Sequence, residues 1–176
     1  FKEFFDREAP DLIAIEAKTP VIRPYWKWAS ELKRMRPGCT VVLMGDHVTA
    51  FPEEAFEHCA VDYCIAGGDF DWALLNLANH LTKGEDLEGG VYWRDKNSNE
   101  IKNSGAFKLE HNLNDNPFID RDLTRWDLYA VENGNFKYTP GTYQMAGRDC
   151  WWGKCTFCSW TTTFNNFRSV TPERHL

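Results

Sequence analysis

Three cysteines lie close together near the carboxyl end of the chain, in the segment RDCWWGKCTFCSW at residues 148–160. Their spacing is Cys150-x4-Cys155-x2-Cys158, and bulky aromatic residues stand between and beside them. Thiolates are soft ligands, so clustered cysteines outside an oxidising compartment are typical of zinc or iron–sulfur sites. The segment therefore predicts a metal site with Cys150, Cys155 and Cys158 as its ligands.

Three kinds of metal site fit part of this pattern. A structural zinc site needs four protein ligands, but only His175 follows Cys158 and the chain has no second Cys-x2-Cys pair. A plant-type 2Fe–2S centre has this cysteine spacing but needs a distant fourth cysteine. A 4Fe–4S cluster held by three thiolates leaves one iron open to a substrate or cofactor, and an open position distinguishes catalytic from structural metal sites. The count of three favours the last kind, with zinc and 2Fe–2S as alternatives.

The other three cysteines, Cys39, Cys59 and Cys64, lie beside or within apolar runs. A cysteine in such a run usually behaves as a small buried hydrophobe. Six cysteines are few for a disulfide scaffold of 176 residues, and reducing compartments keep thiols free. We therefore expect these three cysteines to be buried and not disulfide-bonded.

Composition and charge narrow the class of protein. The chain has 43% hydrophobic and 15% aromatic residues, and its formal net charge is −6 with both signs mixed along the sequence. Such mixing provides no basic patch for nucleic acid or for an anionic membrane surface. No apolar run approaches the ~18 residues of a membrane span, and FKEFFDREAP at the amino end has no signal-peptide core. We expect a cytoplasmic globular protein that binds neither nucleic acid nor membrane.

The first half of the chain alternates strand and helix patterns. Three short apolar runs are typical of strands buried on both faces of a parallel sheet: DLIAI (11–15), TVVLM (40–44) and VDYCIA (61–66). Apolar residues at helical spacing occupy residues 21–36 and 74–81. This alternation predicts an α/β fold with part of a doubly wound parallel sheet, similar to the Rossmann arrangement.

Ligands of such sheets bind beyond the carboxyl ends of the strands. Those ends are followed by residues 16–20, 45–52 and 67–71, which hold turn glycines and polar side chains. His47 could ligate a metal or hydrogen-bond a cofactor, although a loop histidine is more often solvated or capping. Asp69 fits a helix N-cap as well as it fits a ligand contact. The pattern predicts a ligand-binding edge without identifying the ligand.

The second half begins with a hairpin pattern. GGVYWRD (89–95) and EIKNSG (100–105) are β-prone segments around the turn signal KNSN. Residues 106–137 then lose periodicity, as expected of a crossing segment or linker. We place a boundary between two modules near residue 110.

The sequence thus predicts three parts. Residues 1–86 form a partial α/β domain, residues 87–137 form the hairpin and linker, and residues 138–176 begin a second domain that carries the clustered cysteines. The chain begins without methionine in an amphipathic stretch and stops at TPERHL, where a helix pattern starts. We therefore expect it to be an internal piece of a longer protein.

The cysteine segment, with Phe157 directly before the last cysteine and TYQMAGRD leading into it, resembles the radical S-adenosylmethionine (SAM) enzymes. It is most similar to their cobalamin-binding class, which includes anaerobic magnesium-protoporphyrin IX monomethyl ester oxidative cyclases and cobalamin-dependent methyltransferases. Further segments match landmarks of that class in order: APDLIAIEAKTP, MGDHVTAFPEEAF, VDYCIAGGDFDWALLNLANHL, NDNPFIDRDL and FRSVTPERHL. The resemblance covers nearly the whole chain.

The resemblance implies a function for the cysteines. Cys150, Cys155 and Cys158 would hold a 4Fe–4S cluster whose fourth iron takes SAM, and Phe157 would lie near the SAM adenine. Reduction by a donor such as flavodoxin or ferredoxin would split SAM into methionine and a 5′-deoxyadenosyl radical. The radical would serve methyl transfer or oxidative ring chemistry on a small-molecule substrate, shielded from water by the tryptophans. FKYTPGTYQM (136–145) would be the first strand of a radical SAM (β/α) barrel.

The resemblance also implies a cobalamin-binding edge in the α/β part. The edge would be formed by four residues: His47, Thr49, Gly67 and Gly68. The chain departs from the class at this edge, because Gly45–Asp46 replaces a glycine pair and Glu16 replaces the usual serine. The first strand of such a domain, with any histidine that ligates cobalt, is also missing. We expect cobalamin, if bound, to have no protein histidine on its cobalt.

A different class of function stays open. The cysteines could instead hold a 2Fe–2S centre or zinc in a redox or scaffold module that performs no SAM chemistry. The two hypotheses differ in one observable, because an electron carrier has no open iron for SAM.

Overall fold

The computed structural model describes residues 1–132, 135–160 and 166–175. The chain divides into two compact units, one formed mainly by Phe1–Glu110 and the other starting at His111. The first unit contains the α/β sheet, and the second contains the three clustered cysteines. The division coincides with the loss of periodicity near residue 110.

The first unit is one sheet flanked by helices. Its helices are α1 (Lys2–Glu8), α2 (Ile22–Met35), α3 (Asp46–Ala50), α4 (Ala55–His58) and α5 (Phe70–Lys83). Its strands are β1 (Leu12–Glu16), β2 (Thr40–Met44), β3 (Tyr63–Ile65), β4 (Val91–Arg94) and β5 (Ile101–Asn103). The three runs predicted as strands and the two predicted long helices are confirmed.

The sheet has the order β1-β2-β3-β4-β5. β1, β2 and β3 run parallel, with Ile13 opposite Val41 and Leu43 opposite Cys64. β4 pairs with β3 antiparallel, and β5 pairs with β4 antiparallel. The predicted parallel sheet is therefore right for three strands, but the whole sheet is mixed. In the described residues the strands follow one another in sequence order, without the reversal that defines a doubly wound sheet.

Side chains of the central strands alternate between the two faces of the sheet, because the strand period is two. On one face Val41 packs with Phe5 of α1 and Leu32 of α2. On the other face Val42 packs with Leu77 of α5. Helices thus cover both faces, as predicted, and burial on both faces explains why the strand sequences are continuously apolar.

The three scattered cysteines are packing residues, as predicted. Cys39 and Cys64 are buried, Cys59 is half-buried, and all three are free thiols. The Cys59 thiol donates to the Ala55 carbonyl oxygen, 3.2 Å away. Burial raises the pKa of Cys59 to about 11 and raises the pKa of Cys64 as well, so both stay protonated at neutral pH. Protonated thiols are poor metal ligands.

The predicted hairpin is present, and its two strands extend the sheet of the first unit. In its turn, Asp95 Oδ1 accepts hydrogen bonds from the N–H groups of Asn97 and Ser98 at 3.0 and 2.8 Å. Lys102 donates to the other carboxylate oxygen at 2.9 Å. These hydrogen bonds hold the pKa of Asp95 well below its ordinary range, and the bond from the Ser98 N–H has the largest effect. The hairpin thus lies before the boundary near residue 110, in the same unit as the parallel strands.

The stability of the first unit is expected to depend on Asp95 at acidic pH. Because its folded-state pKa is depressed, the carboxylate stabilises the fold above the ordinary aspartate pKa of about 3.9 and loses that contribution as the pH falls below it. Asp95→Asn should therefore lower the melting temperature at neutral pH and flatten its decline between about pH 5 and pH 3. Thermal melts of both proteins across that range check this, and parallel pH profiles would contradict it.

The second unit has little regular structure among its described residues. It contains two 3-10 turns (Leu113–Asp115 and Trp126–Leu128), strands β6 (Gly147–Arg148) and β7 (Arg168–Ser169), and helix α6 (Pro172–His175). β6 and β7 pair antiparallel. The helix predicted to begin at TPERHL is confirmed by α6. Across the described ranges of both units, no helix is long and apolar enough to cross a membrane.

The prediction of a first barrel strand at FKYTPGTYQM (136–145) is wrong, because none of these residues is in a strand. Pro140 has no N–H to give to a neighbouring strand. Gly141 instead donates its N–H to the Ala130 carbonyl oxygen at 2.8 Å, and a Cβ on it would lie 2.7 Å from the Phe136 ring. The chain turns here rather than extending, and the described residues of this unit show no barrel.

Candidate functional site

The carboxyl ends of β1, β2 and β3 meet at one edge of the first unit, because these strands are parallel. Gly45, directly after β2, has a φ of 112°, and a Cβ there would lie 2.6 Å from the Ala17 carbonyl oxygen. Ala17 donates its own N–H to the Met44 carbonyl oxygen at 2.6 Å. Glycine at position 45 thus permits the close approach of the two strand ends.

His47 is not the loop residue that the sequence predicted, because it lies in the first turn of α3 and is only 6% exposed. Its Nε2 atom lies 2.8 Å from Glu54 Oε2, and its Nδ1 atom lies 3.1 Å from Thr19 Oγ1. An ionised carboxylate can only accept, so Nε2 carries a proton and Nδ1 accepts from the Thr19 hydroxyl in the neutral ring. Both ring nitrogens are therefore engaged by protein groups.

Thr49 joins the ends of β2 and β3. Its hydroxyl oxygen lies 2.9 Å from the Gly45 carbonyl oxygen and 3.0 Å from the Gly67 carbonyl oxygen. The same hydroxyl accepts a hydrogen bond from the Gly67 N–H at 3.0 Å. Its donor capacity and an acceptor position are thus used inside the protein.

Gly67, directly after β3, is closely packed against the Phe107 side chain. Gly67 is buried with a φ of 112°, and a Cβ on it would lie 3.0 Å from the Phe107 ring. A Cβ on Gly90 would likewise lie 2.7 Å from the Phe107 Cβ. The Phe107 side chain fills the space next to Gly67 and Gly90. Asp69 takes the N-cap position of α5, but its side chain makes no capping hydrogen bond.

Most of the residues that the resemblance assigns to a cobalamin edge bond to or pack against other groups of the first unit. The His47 ring is engaged by Glu54 and Thr19, which agrees with the expectation that no protein histidine ligates cobalt. Thr49 is bonded to both neighbouring strand ends. Phe107 covers Gly67, which leaves only Gly68, half-buried, of the four residues that the resemblance implied. These residues hold the edge together, and no chemical step is assigned to cobalamin on them.

Thr49→Val is expected to destabilise the first unit by about 1–3 kcal/mol, because it leaves the buried Gly67 N–H without its acceptor. Urea unfolding of the two proteins measures the difference. The matched control is Thr82→Val on α5, whose hydroxyl donates at 2.7 Å to the Ala78 carbonyl oxygen at an exposed position. Equal destabilisation by the two substitutions would contradict the structural role given to Thr49.

The three predicted metal ligands lie in one segment of the second unit that has neither helix nor strand between them. Cys150, Cys155 and Cys158 are half-buried free thiols. The Cys158 N–H donates to the Cys155 carbonyl oxygen at 3.2 Å, so the backbone makes a tight turn around Thr156 and Phe157. Two of the ligands are therefore held on one short turn.

The aromatic residues of the described segment do not form the dry shell that was predicted. Trp151 is 75% exposed and Phe157 is 89% exposed. The Trp152 ring meets the Trp151 ring edge to face, with centroids 5.7 Å apart. The Lys154 ammonium lies over Trp152, 5.7 Å from the ring centroid. These rings are open apolar surfaces, and Phe157 is the most open of them.

The sequence analysis does not identify Asp149 and Arg168 as partners, yet the structure joins them. Arg168 Nη2 lies 3.3 Å from Asp149 Oδ2, and the two side chains are 14% and 4% exposed. Asp149 has a φ of 70°, a conformation that is uncommon for residues other than glycine. The only sequence signal is a pair of opposite charges 19 positions apart on either side of the cysteines. The ion pair adjoins the first predicted ligand in sequence, because Asp149 directly precedes Cys150.

The donor set of this segment fits an iron–sulfur cluster. Three free, half-buried thiols are present, and thiolates are the ordinary ligands of such clusters. In the part of the chain that the structure describes, no group of three or more His, Cys, Asp or Glu side chains is already placed to hold a metal ion. Cluster binding therefore requires that the segment draw its three thiols together.

The chain is similar in sequence to an uncharacterized methyltransferase of Pyrococcus horikoshii. The two sequences are 26% identical over 166 residues, which make up 94% of this chain and 35% of the relative. The chain thus spans about a third of the relative's length. No protein-family model matches the chain.

Proposed function

We propose that the chain is part of an enzyme that holds a 4Fe–4S cluster on Cys150, Cys155 and Cys158 and uses it to cleave SAM reductively. The observation that carries the proposal is the set of three free, half-buried thiols on one short segment of the second unit. Three protein ligands leave one position open, whereas a structural zinc site or a simple electron carrier has a closed set of four.

Each part of the segment has a task in this proposal. The thiolates of the Cys-x2-Cys turn bind from one short stretch of backbone. Phe157 offers an exposed ring on which the adenine of SAM can stack. Trp151 and Trp152 offer apolar surface that a bound substrate can cover, which keeps water from the reacting centre. When bound, the cluster supplies the electron that splits SAM into methionine and a 5′-deoxyadenosyl radical.

We propose methyl transfer to a small organic molecule as the reaction class of the whole protein. The relative's name, a methyltransferase, supports an enzyme that transfers a methyl group. Reductive cleavage leaves the methyl group of the cleaved SAM on methionine, so in this proposal the transferred methyl group comes from a second SAM molecule. Oxidative ring chemistry is the second reaction class that the family resemblance implies. A flavodoxin or ferredoxin is proposed as the electron donor. Cobalamin, which the family resemblance implies, is proposed only without a protein histidine on its cobalt, and no step is assigned to it.

SAM cleavage by the intact protein, reconstituted anaerobically with iron and sulfide and reduced with dithionite, tests the proposal. We expect methionine and 5′-deoxyadenosine in equal amounts, and neither product from Cys155→Ala. Phe157→Ala should raise the KM for SAM without loss of iron, and Phe167→Ala is the control at another exposed phenylalanine. A protein that holds a complete cluster and leaves SAM intact would contradict the proposal.

A further inference from the structure

We propose that the Asp149–Arg168 ion pair is a positioning device for Cys150, which fixes the base of the cysteine segment before any metal is bound. The inference rests on the proposed cluster and assigns to it two residues that act through Cys150. Neither residue is a ligand in this proposal.

The backbone alone joins the two ends of the segment only weakly. β6 and β7 pair through Gly147 with Ser169 and through Arg148 with Arg168. A further hydrogen bond runs from the Val170 N–H to the Ala146 carbonyl oxygen at 2.9 Å. Strands of two residues are well below the length of an ordinary strand pair. The base of the segment therefore needs additional contacts to stay closed.

The side chains supply those contacts. The Arg168 guanidinium donates to the carbonyl oxygens of His111 and Asn166, at 3.1 and 3.3 Å, and to Asp149 Oδ2 at 3.3 Å. The carbonyl groups fix the guanidinium, and the guanidinium fixes the carboxylate. The side chains of the pair are mostly buried, so water and salt screen the pair less than they screen a surface pair.

The pair also holds the backbone conformation that leads into the first ligand. Asp149 stays at a φ of 70° while its carboxylate is bound to Arg168, and the next residue is Cys150. Uncommon backbone conformations of this kind cluster at functional sites. A ligand that is already in place lowers the cost of ordering the other two thiols around a cluster.

The test begins with the intact metal-free protein and iodoacetamide, with the alkylation rate of Cys150 measured by peptide mass spectrometry. Arg168→Gln should raise that rate about fivefold or more, because access follows the population of the opened segment. Arg168→Lys keeps the cation, so its alkylation rate at Cys150 should lie between those of Arg168→Gln and the wild-type protein. The control is Arg125→Gln, which breaks the exposed Arg125–Asp127 pair and should leave the rate unchanged.

Asp149→Gly separates the ion pair from the backbone conformation. Glycine adopts a φ of 70° without strain but has no carboxylate. We expect Asp149→Gly to react as fast as Arg168→Gln. A wild-type rate for either variant would overturn the proposal, because the ion pair would then not control Cys150.

The second measurement is the iron retained after anaerobic reconstitution. Arg168→Gln should bind the cluster about 10- to 100-fold more weakly than the wild-type protein, as is usual when a group that orients a ligand is lost. If the wild-type protein holds no iron, the proposed function fails, and the alkylation rates still decide the role of the ion pair. If wild-type and Arg168→Gln proteins hold iron equally well, the positioning proposal alone is overturned.

Discussion

Replacement of Cys150, Cys155 and Cys158 together by alanine is expected to abolish iron binding, whereas the wild-type protein should hold about four irons and four sulfides per chain after reconstitution. The reason is that thiolates form the protein bonds of such a cluster. The remaining cysteines are packing residues of the first unit and cannot replace them. Iron and sulfide analysis, with absorbance near ~400 nm from iron–sulfur charge transfer, checks the prediction.

Cys59→Ala is the matched control for this experiment. Cys59 is also a half-buried free thiol, but it belongs to the first unit and donates to the Ala55 carbonyl oxygen. The variant should keep the full iron content. Stoichiometric zinc in the wild-type protein, without iron–sulfur absorbance, would contradict the cluster assignment and would favour the scaffold alternative.

Gly45→Ala is expected to destabilise the first unit by about 3 kcal/mol or more. A Cβ at this position would lie 2.6 Å from the Ala17 carbonyl oxygen and 2.9 Å from the Ala17 nitrogen, both of them backbone atoms. The φ of 112° adds strain of about 1–3 kcal/mol for a residue other than glycine. The clash cannot be relieved by a rotamer change, so β1 and β2 must separate at their ends. Thermal and urea unfolding measure the loss.

Gly38→Ala is the control for this substitution. Gly38 lies in the turn before β2, and a Cβ there would meet no atom within 4 Å. Its free energy of unfolding should stay within about 1 kcal/mol of the wild-type value. A Gly45→Ala protein as stable as Gly38→Ala would contradict the close approach of the strand ends.

The parallel core could be predicted from the sequence because its signal is local. Val41 and Val42 are buried on opposite faces of β2, and a strand buried on both faces must be apolar at every position. The place of the hairpin could not be predicted in this way. Trp93 pairs with Tyr63 across a distance that no local pattern encodes. The sequence therefore predicts the hairpin but not its pairing with β3.

The edge of the sheet shows a different limit of sequence reasoning. The sequence predicts turn glycines after β2 and β3, and Gly45 and Gly67 have the positive φ angles typical of such turns. The sequence does not reveal that Gly67 makes room for the Phe107 ring, because Phe107 lies 40 positions further along the chain. His47 likewise has its partners in two other segments, at Thr19 and Glu54. A polar side chain at a predicted ligand-binding edge can thus have its hydrogen-bond partners within the protein itself.

The cysteine segment and its flanks likewise contain residues that the sequence identifies and residues that only the structure identifies. The ligand set follows from spacing, because Cys150, Cys155 and Cys158 are close in sequence and their chemistry needs no fold to be recognised. Asp149 and Arg168 gain their role only when β6 and β7 pair. Residues that carry chemistry are visible in a sequence, whereas residues that position them depend on tertiary contacts.

The central claim is that the proposed cluster has an open iron that takes SAM. Electron paramagnetic resonance of the reconstituted, dithionite-reduced intact protein, recorded with and without SAM, tests it most directly. We predict the spectrum of a reduced 4Fe–4S cluster, and a clear change in that spectrum when SAM is added. Identical spectra with and without SAM would contradict the claim, because a cluster closed by four ligands has no position for SAM.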